Sequence, residues 1–258
     1  MTFGLQDARV LVTAGASGIG LATARAFVRE GAHVQVCDVD VQALESLAHT
    51  DPALRWSVCD VSDRARVGAL FDEAIAALGG LDVLVNNAGI AGPTARCEDI
   101  DPEAWTRTLA VNITGQFYCA QFAIPHLRKS RNASIANLSS AAGRFGFPMR
   151  TPYASSKWAV IGFTKSLSME LGADGIRVNA ICPGSVAGPR IESVIANKAK
   201  ALGVEASVVR DEMVGKSSLK RMVSADDIAN AIVFLASPLG ANISGHALPV
   251  DGDTQALV

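Results

Sequence analysis

Tyr153 and Lys157, four apart in Tyr-Ala-Ser-Ser-Lys, are the pair in this sequence best suited to acid–base chemistry. A spacing of four puts both side chains on one face of a helix. A free phenol titrates near about pH 10 and is a poor base at neutral pH, but an adjacent ammonium favours the phenolate. Such a tuned group can exchange a proton with a substrate oxygen. Taken alone, the pair does not separate this chemistry from an amphipathic helix with a surface lysine.

A second constellation gives the pair something to work on. Thr13-Ala14-Gly15-Ala16-Ser17-Gly18-Ile19-Gly20 follows an apolar run and opens a helical pattern. Glycines there permit a tight turn and let backbone N–H groups approach a pyrophosphate at the helix N-terminus. The candidate cofactor residues of the turn are Thr13, Gly15, Ser17, Gly18, Ile19 and Gly20. About twenty residues on, Val36-Cys37-Asp38 ends the next run, and an acid at that distance is placed to bond the adenosine ribose hydroxyls. Asp38 would repel a 2′-phosphate, and no Arg or Lys occupies Ala16, Ser17, Cys37 or Val39. NAD is therefore expected rather than NADP. A bound nicotinamide, being positive, would further favour the Tyr153 phenolate.

These residues need a scaffold, and the pattern around them supplies one. Apolar runs at Arg9–Ala14, His33–Cys37, Arg55–Cys59, Leu81–Asn86, Ser134–Ser139, Arg177–Cys182 and His246–Val250 read as strands. Amphipathic stretches at Ile19–Glu30, Val41–His49, Arg64–Leu78, Trp105–Lys129, Ser156–Leu171 and Ala225–Ala236 read as helices. Continuous apolar strands alternating with helices predict an α/β fold, a Rossmann-like doubly wound parallel sheet of about seven strands. No linker or internal repeat divides the 258 residues, so one domain is expected. Residues 184–222 interrupt the alternation, and such an excursion suits a variable substrate-binding loop.

The glycine turn resembles the TGxxxGxG turn of the short-chain dehydrogenase/reductase family, with Ala14 at the place of that family's first glycine. The resemblance extends over nearly the whole chain. Asp60-Val61 matches the pair that contacts adenine. Asn87, Ala88 and Gly89, in Asn-Asn-Ala-Gly, match the segment that braces the sheet beneath the cofactor. Pro183-Gly184, with Val186 just beyond, matches the turn bordering the nicotinamide. Tyr153 and Lys157 match the catalytic pair, Lys157 also holding the nicotinamide ribose. Ser140, thirteen residues before Tyr153, matches the serine that polarises the substrate oxygen. Its neighbour Ser139 is expected to face away. Asn112 matches the asparagine that completes the site by positioning Lys157.

The resemblance implies hydride transfer between nicotinamide and the carbon of a secondary alcohol or ketone. One departure stands out: Gly188 occupies the place of a threonine that often anchors the nicotinamide carboxamide, so mobility and closure of the following segment are expected. The resemblance also implies a homotetramer, or a dimer, through Trp105–Lys129 and Ser156–Leu171. Trp158, Ile161 and Phe163 fit core or interface, core being the default. A catalytically inactive NAD-binding scaffold is the competing reading, and the intact Ser140, Tyr153, Lys157 and Asn112 stand against it.

The bulk properties agree. A formal charge of −2 without charge runs argues against nucleic acid or an anionic membrane as partner. The apolar runs are too short to span a bilayer. Five cysteines without paired spacing argue against a disulfide framework or a metal site, and for a reducing, cytoplasmic setting. The pocket is expected from 90–96, 141–150 and the segment after Gly184. Thr94, Arg96, Arg144, Arg150 and Arg190 there point to a small oxygen-rich substrate, a sugar, polyol or hydroxy acid.

Overall fold

The structure, a computed structural model, describes residues 3–257. Its strands are β1 (Arg9–Thr13), β2 (His33–Asp38), β3 (Leu54–Val58), β4 (Val83–Asn86), β5 (Ser134–Leu138), β6 (Arg177–Pro183) and β7 (Ala247–Val250). They form one parallel sheet in the order β3-β2-β1-β4-β5-β6-β7. The order reverses between β1 and β4, which pair from Val10 with Val83 to Val12 with Val85. Open α/β sheets bind ligands in the crevice beyond the strand ends at such a reversal.

Alternation along each strand feeds two separate cores. Val10 and Val12 of β1 pack on one face with Phe27, Ile228 and Ile232, while Leu11 packs on the other with Phe71, Leu127 and Leu167. The first face is covered by α1 (Gly18–Arg29) and α9 (Ala225–Ala236), with α2 (Val41–Thr50) beside them. The second is covered by α3 (Arg64–Leu78), α5 (Gly115–Leu127) and α6 (Thr151–Leu171). Burial on both faces is why the strand runs are apolar throughout.

Three expectations need correction. The stretch 105–129 is two helices, α4 (Pro102–Leu109) and α5, joined by a π-helical turn at Ala110–Thr114 that contains Asn112. Helix α6 begins at Thr151 rather than Ser156, because Pro152 is tolerated where helical N–H groups have no partner anyway. Tyr153 thus lies in its first turn. Trp158 is 52% exposed rather than buried in the core, its indole N–H reaching the Phe145 carbonyl at 3.5 Å.

Residues 184–222 contain α7 (Pro189–Leu202) and α8 (Ala206–Gly215). These helices share a small cluster of their own, Ile195, Ala199 and Val209, apart from the two main cores. No helix among the described residues is long and apolar enough to cross a membrane.

Candidate active site

A cavity of about 580 Å³ opens at the ends of β1, β4, β5 and β6, within the range of small-molecule sites. Gly18, Asp38, Asn87, Ser140, Tyr153 and Lys157 all border it, as do Ile19, Gly89, Pro183, Gly184 and Val186.

The glycines of the first turn have different duties. A Cβ on Gly15 would lie 2.5 Å from Cβ of Val36, and one on Gly20 would lie 2.1 Å from the Ala14 carbonyl oxygen. Both therefore serve close packing of strand and helix. Gly18 has φ +52° and nothing within 4 Å of its missing Cβ, so a side chain there would enter the cavity. Ser17 makes no side-chain cap, which leaves the α1 N-terminal amides available to an anion. The turn therefore fits a dinucleotide pyrophosphate. Ala14, at the family's glycine position, adopts φ 50° in the left-handed region.

Thr13 and Ala88 are buried and do not border the cavity. Thr13 Oγ1 accepts from the backbone N–H groups of Asn87 and Ala88, both at 2.9 Å. The Asn87 amide donates in return to the carbonyls of Thr13 and Ala14, both at 3.0 Å. These bonds lock the β1 and β4 turns together across the sheet reversal. Asp38 accepts from the N–H groups of Ala16, Val39 and Asp40, fixing its carboxylate at the cavity edge. Asp60 and Val61 do not border the cavity. Asp60 accepts from Arg107 and Ser62, and Val61 is buried against Gly115.

Lys157, 3% exposed, donates from Nζ to the Leu138 carbonyl at 2.7 Å. Its Nζ lies 5.8 Å from the Tyr153 ring centroid. Burial pulls the Lys157 ammonium down to about 8, against the opposing pull of Tyr153. Burial by itself would raise the Tyr153 phenol. The cations of Lys157, Arg190 and Arg150, with the Ser140 hydroxyl, outweigh it and bring the phenol below its ordinary value. Ser140 sits at the end of β5, where its Oγ accepts from the Ala142 N–H at 3.1 Å. Ser139 is buried, and its hydroxyl donates to the Lys157 backbone carbonyl at 2.8 Å, tying α6 to β5.

Asn112 braces the site from the π-turn, a feature often found at functional positions. Its side chain bonds both the N–H and carbonyl of Ile90, at 2.7 and 3.0 Å, and donates to Ser156 Oγ at 3.0 Å. Ser156 in turn donates to the Tyr153 carbonyl at 2.7 Å. Asn112 thus connects the segment after β4 to the first turn of α6.

Other contributors carried no recognisable signal. Asn86 donates to Asn137, which donates to Thr164, a buried path from β4 through β5 to α6. Thr254, Ala256 and Leu257 border the cavity, although nothing in their spacing indicates it. Of the arginines on the expected pocket segments, Arg96 pairs with Glu98 and Arg144 with Asp251. Arg150 and Arg190 border the cavity.

Residues 13–253 match the family model described as "Enoyl-(Acyl carrier protein) reductase". The chain is 39% identical over 257 residues to momilactone A synthase of Oryza sativa subsp. japonica, covering 95% of this chain and 91% of that protein. It is 37% identical over 253 residues to cis-4-hydroxycyclohexanecarboxylate dehydrogenase of Sinomonas cyclohexanicum, covering 96% of each. The crystal structure of NAD+-bound xylitol dehydrogenase superposes with a TM-score of 0.92 at 30% identity, covering 96% of this chain and 99% of that one.

Proposed function

The chain belongs to the short-chain dehydrogenase/reductase family of oxidoreductases, and from that premise we propose that it interconverts a secondary alcohol and its ketone with NAD, Tyr153 exchanging the proton on oxygen. The observation that carries this reading is the Tyr153 phenol in the cavity, beside the Ser140 hydroxyl and the buried Lys157 cation.

NAD is held by this chain in three places. The Gly18 turn and the α1 N-terminus take the pyrophosphate. Asp38 takes the adenosine ribose, and Lys157 the nicotinamide ribose. The cofactor supplies hydride acceptance and donation at carbon. In the oxidation direction, Tyr153 as phenolate accepts the hydroxyl proton. In reduction, the neutral phenol returns it. Ser140 donates to the substrate oxygen and stabilises negative charge developing there. Lys157 keeps Tyr153 in its reactive form, and Asn112 holds the framework that positions both.

A small oxygen-rich alcohol is the substrate class we assign: a sugar, polyol or hydroxy acid. Arg150 and Arg190 on the cavity wall support it, as do the polyol named for the structural neighbour and the hydroxy acid named for the relative. Exposed Phe117, Trp158 and Met169 on α5 and α6 support association into a homotetramer or dimer through those helices. Five free thiols, four of them buried, support a reducing compartment such as the cytoplasm.

Incubating the protein with NAD or NADP and a panel of polyols, sugars, hydroxy acids and apolar cyclic alcohols tests the proposal through reduced-cofactor absorbance. NAD-dependent turnover of an oxygen-rich alcohol is expected, with NADP used less well. Binding of NAD without turnover of any panel member would favour an inactive scaffold. Equal use of both cofactors would remove the role of Asp38.

A further inference from the structure

We propose that Arg150 is the receptor for a substrate carboxylate, making the reacting alcohol a hydroxy acid rather than a neutral sugar or polyol. This rests on the reading of Tyr153 as the proton-exchanging group, which fixes where the reacting end of the substrate lies.

Arg150 is 3% exposed, yet it borders the cavity. One terminal nitrogen donates to the Ala91 carbonyl at 2.7 Å, while its buried Nε has no partner. Among the described residues no carboxylate lies within ion-pair distance of it. A buried, uncompensated guanidinium is costly unless an anion or hydrogen bonds complete it. The two other arginines of the neighbouring segments are already neutralised, Arg96 by Glu98 and Arg144 by the buried Asp251. Arg190 also has no ion pair, but it is exposed; Arg150 is the buried one, and its guanidinium lies over the Tyr153 ring.

Its geometry suits a planar two-oxygen anion. The guanidinium carbon lies 5.3 Å from the centroid of the Phe147 ring and 5.3 Å from that of the Tyr153 ring. In contact with two rings, the fork loses little freedom when it engages a carboxylate in two parallel bonds. Met149, immediately before Arg150, has φ 64°, in the left-handed region. A left-handed non-glycine residue costs energy, and such strain clusters at functional sites. Arg190 adds positive field from the first turn of α7, where it borders the same cavity and donates to the Gly89 carbonyl at 2.9 Å. The cofactor pyrophosphate is the competing anion. The open Gly18 turn and α1 N-terminus already suit that group, whereas the Arg150 guanidinium lies over the Tyr153 ring.

The test uses two probes that have no hydroxyl and cannot react, cyclohexanecarboxylate and cyclohexanecarboxamide. Each is titrated calorimetrically into the NAD-saturated protein. The carboxylate is expected to bind at least about tenfold more tightly than the amide. Arg150→Gln is expected to erase that preference, and Arg150→Lys to retain part of it. Equal affinities in the unmodified protein would overturn the inference, and this comparison needs no variant to fold. A preference that survives in Arg150→Gln would overturn it too. So would weakened NAD binding in Arg150→Gln with the preference intact, since the cation would then serve the cofactor. A carboxylate preference without hydride transfer from any alcohol to NAD would leave this inference standing and defeat the proposed reaction. Turnover of neutral alcohols with equal probe affinities would do the reverse.

Discussion

The Nζ of Lys157 stands 5.8 Å from the centroid of the Tyr153 ring while donating to the Leu138 carbonyl at 2.7 Å. The Leu138 carbonyl also accepts from Gln116 at 3.2 Å, so the last residue of β5 anchors the cation next to the phenol.

That arrangement sets a pH dependence. Tyr153 must be deprotonated to oxidise an alcohol, so kcat/KM for oxidation should rise with pH through the Tyr153 titration, below the ordinary phenol range. Arg190 is among the cations that lower the phenol. Arg190→Gln should therefore move the rising limb to higher pH. A limb that stays in place or moves down in a pH–rate profile would show that Arg190 does not act on Tyr153.

The left-handed Ala14 is a local cost. Its φ of 50° favours glycine, and an alanine there is strained by about 1 kcal/mol. Ala14→Gly should raise the melting temperature by about 2–4 °C, the change that about 1 kcal/mol produces in a domain of this size. A fall in melting temperature would mean that the Ala14 methyl contributes packing greater than the strain.

Gly18 and Gly20 should separate binding from folding. A methyl on Gly20 collides with the Ala14 carbonyl and lies 2.6 Å from the Asn87 amide nitrogen, so Gly20→Ala should destabilise the fold by about 1–3 kcal/mol. Gly18 has no neighbour within 4 Å at that position, and Gly18→Ala bears mainly its φ penalty, about 1 kcal/mol. Its methyl enters the cavity, so NAD affinity should drop at least about tenfold. Titration of NAD into Gly18→Ala with affinity equal to the unmodified protein would dislodge the pyrophosphate from this turn.

Helices α7 and α8 should open as a unit. Their shared cluster of Ile195, Ala199 and Val209 is separate from the main cores, and Gly188, at the N-cap of α7, offers no side-chain cap. Hydrogen exchange across 189–213 should be faster than in α6 without ligands and slow down once cofactor and substrate are bound. Full protection of the segment in the ligand-free protein would contradict a closing role.

Much of this architecture is legible in the residues, and for stated reasons. Strands buried on both faces must be apolar, so runs such as Val10-Leu11-Val12 announce themselves. Gly15, Gly18, Gly20, Tyr153 and Lys157 were readable because steric demand and chemistry restrict those positions to few residue types. What was not legible depends on contacts remote in sequence. The π-turn around Asn112 accompanies its bonds to Ile90, 22 residues away. The lock between Thr13 and Asn87 spans 74 residues. Arg96, Arg144 and Arg150 look alike in the sequence, and only their partners distinguish two neutralised surface or loop cations from an unpaired buried one. Helix α6 starts earlier than its apolar period suggests, because Ala154, Ser155 and Ser156 are too small to show one.

The most direct measurement is turnover by Tyr153→Phe, followed by reduced-cofactor absorbance alongside NAD affinity. The substitution keeps the ring beside Arg150 and Lys157 and deletes the hydroxyl that exchanges the proton. Turnover is predicted to fall at least about a hundredfold, the low end for a general acid–base group, with NAD binding little changed. Near-normal turnover in Tyr153→Phe would contradict the assignment of Tyr153 and the mechanism built on it.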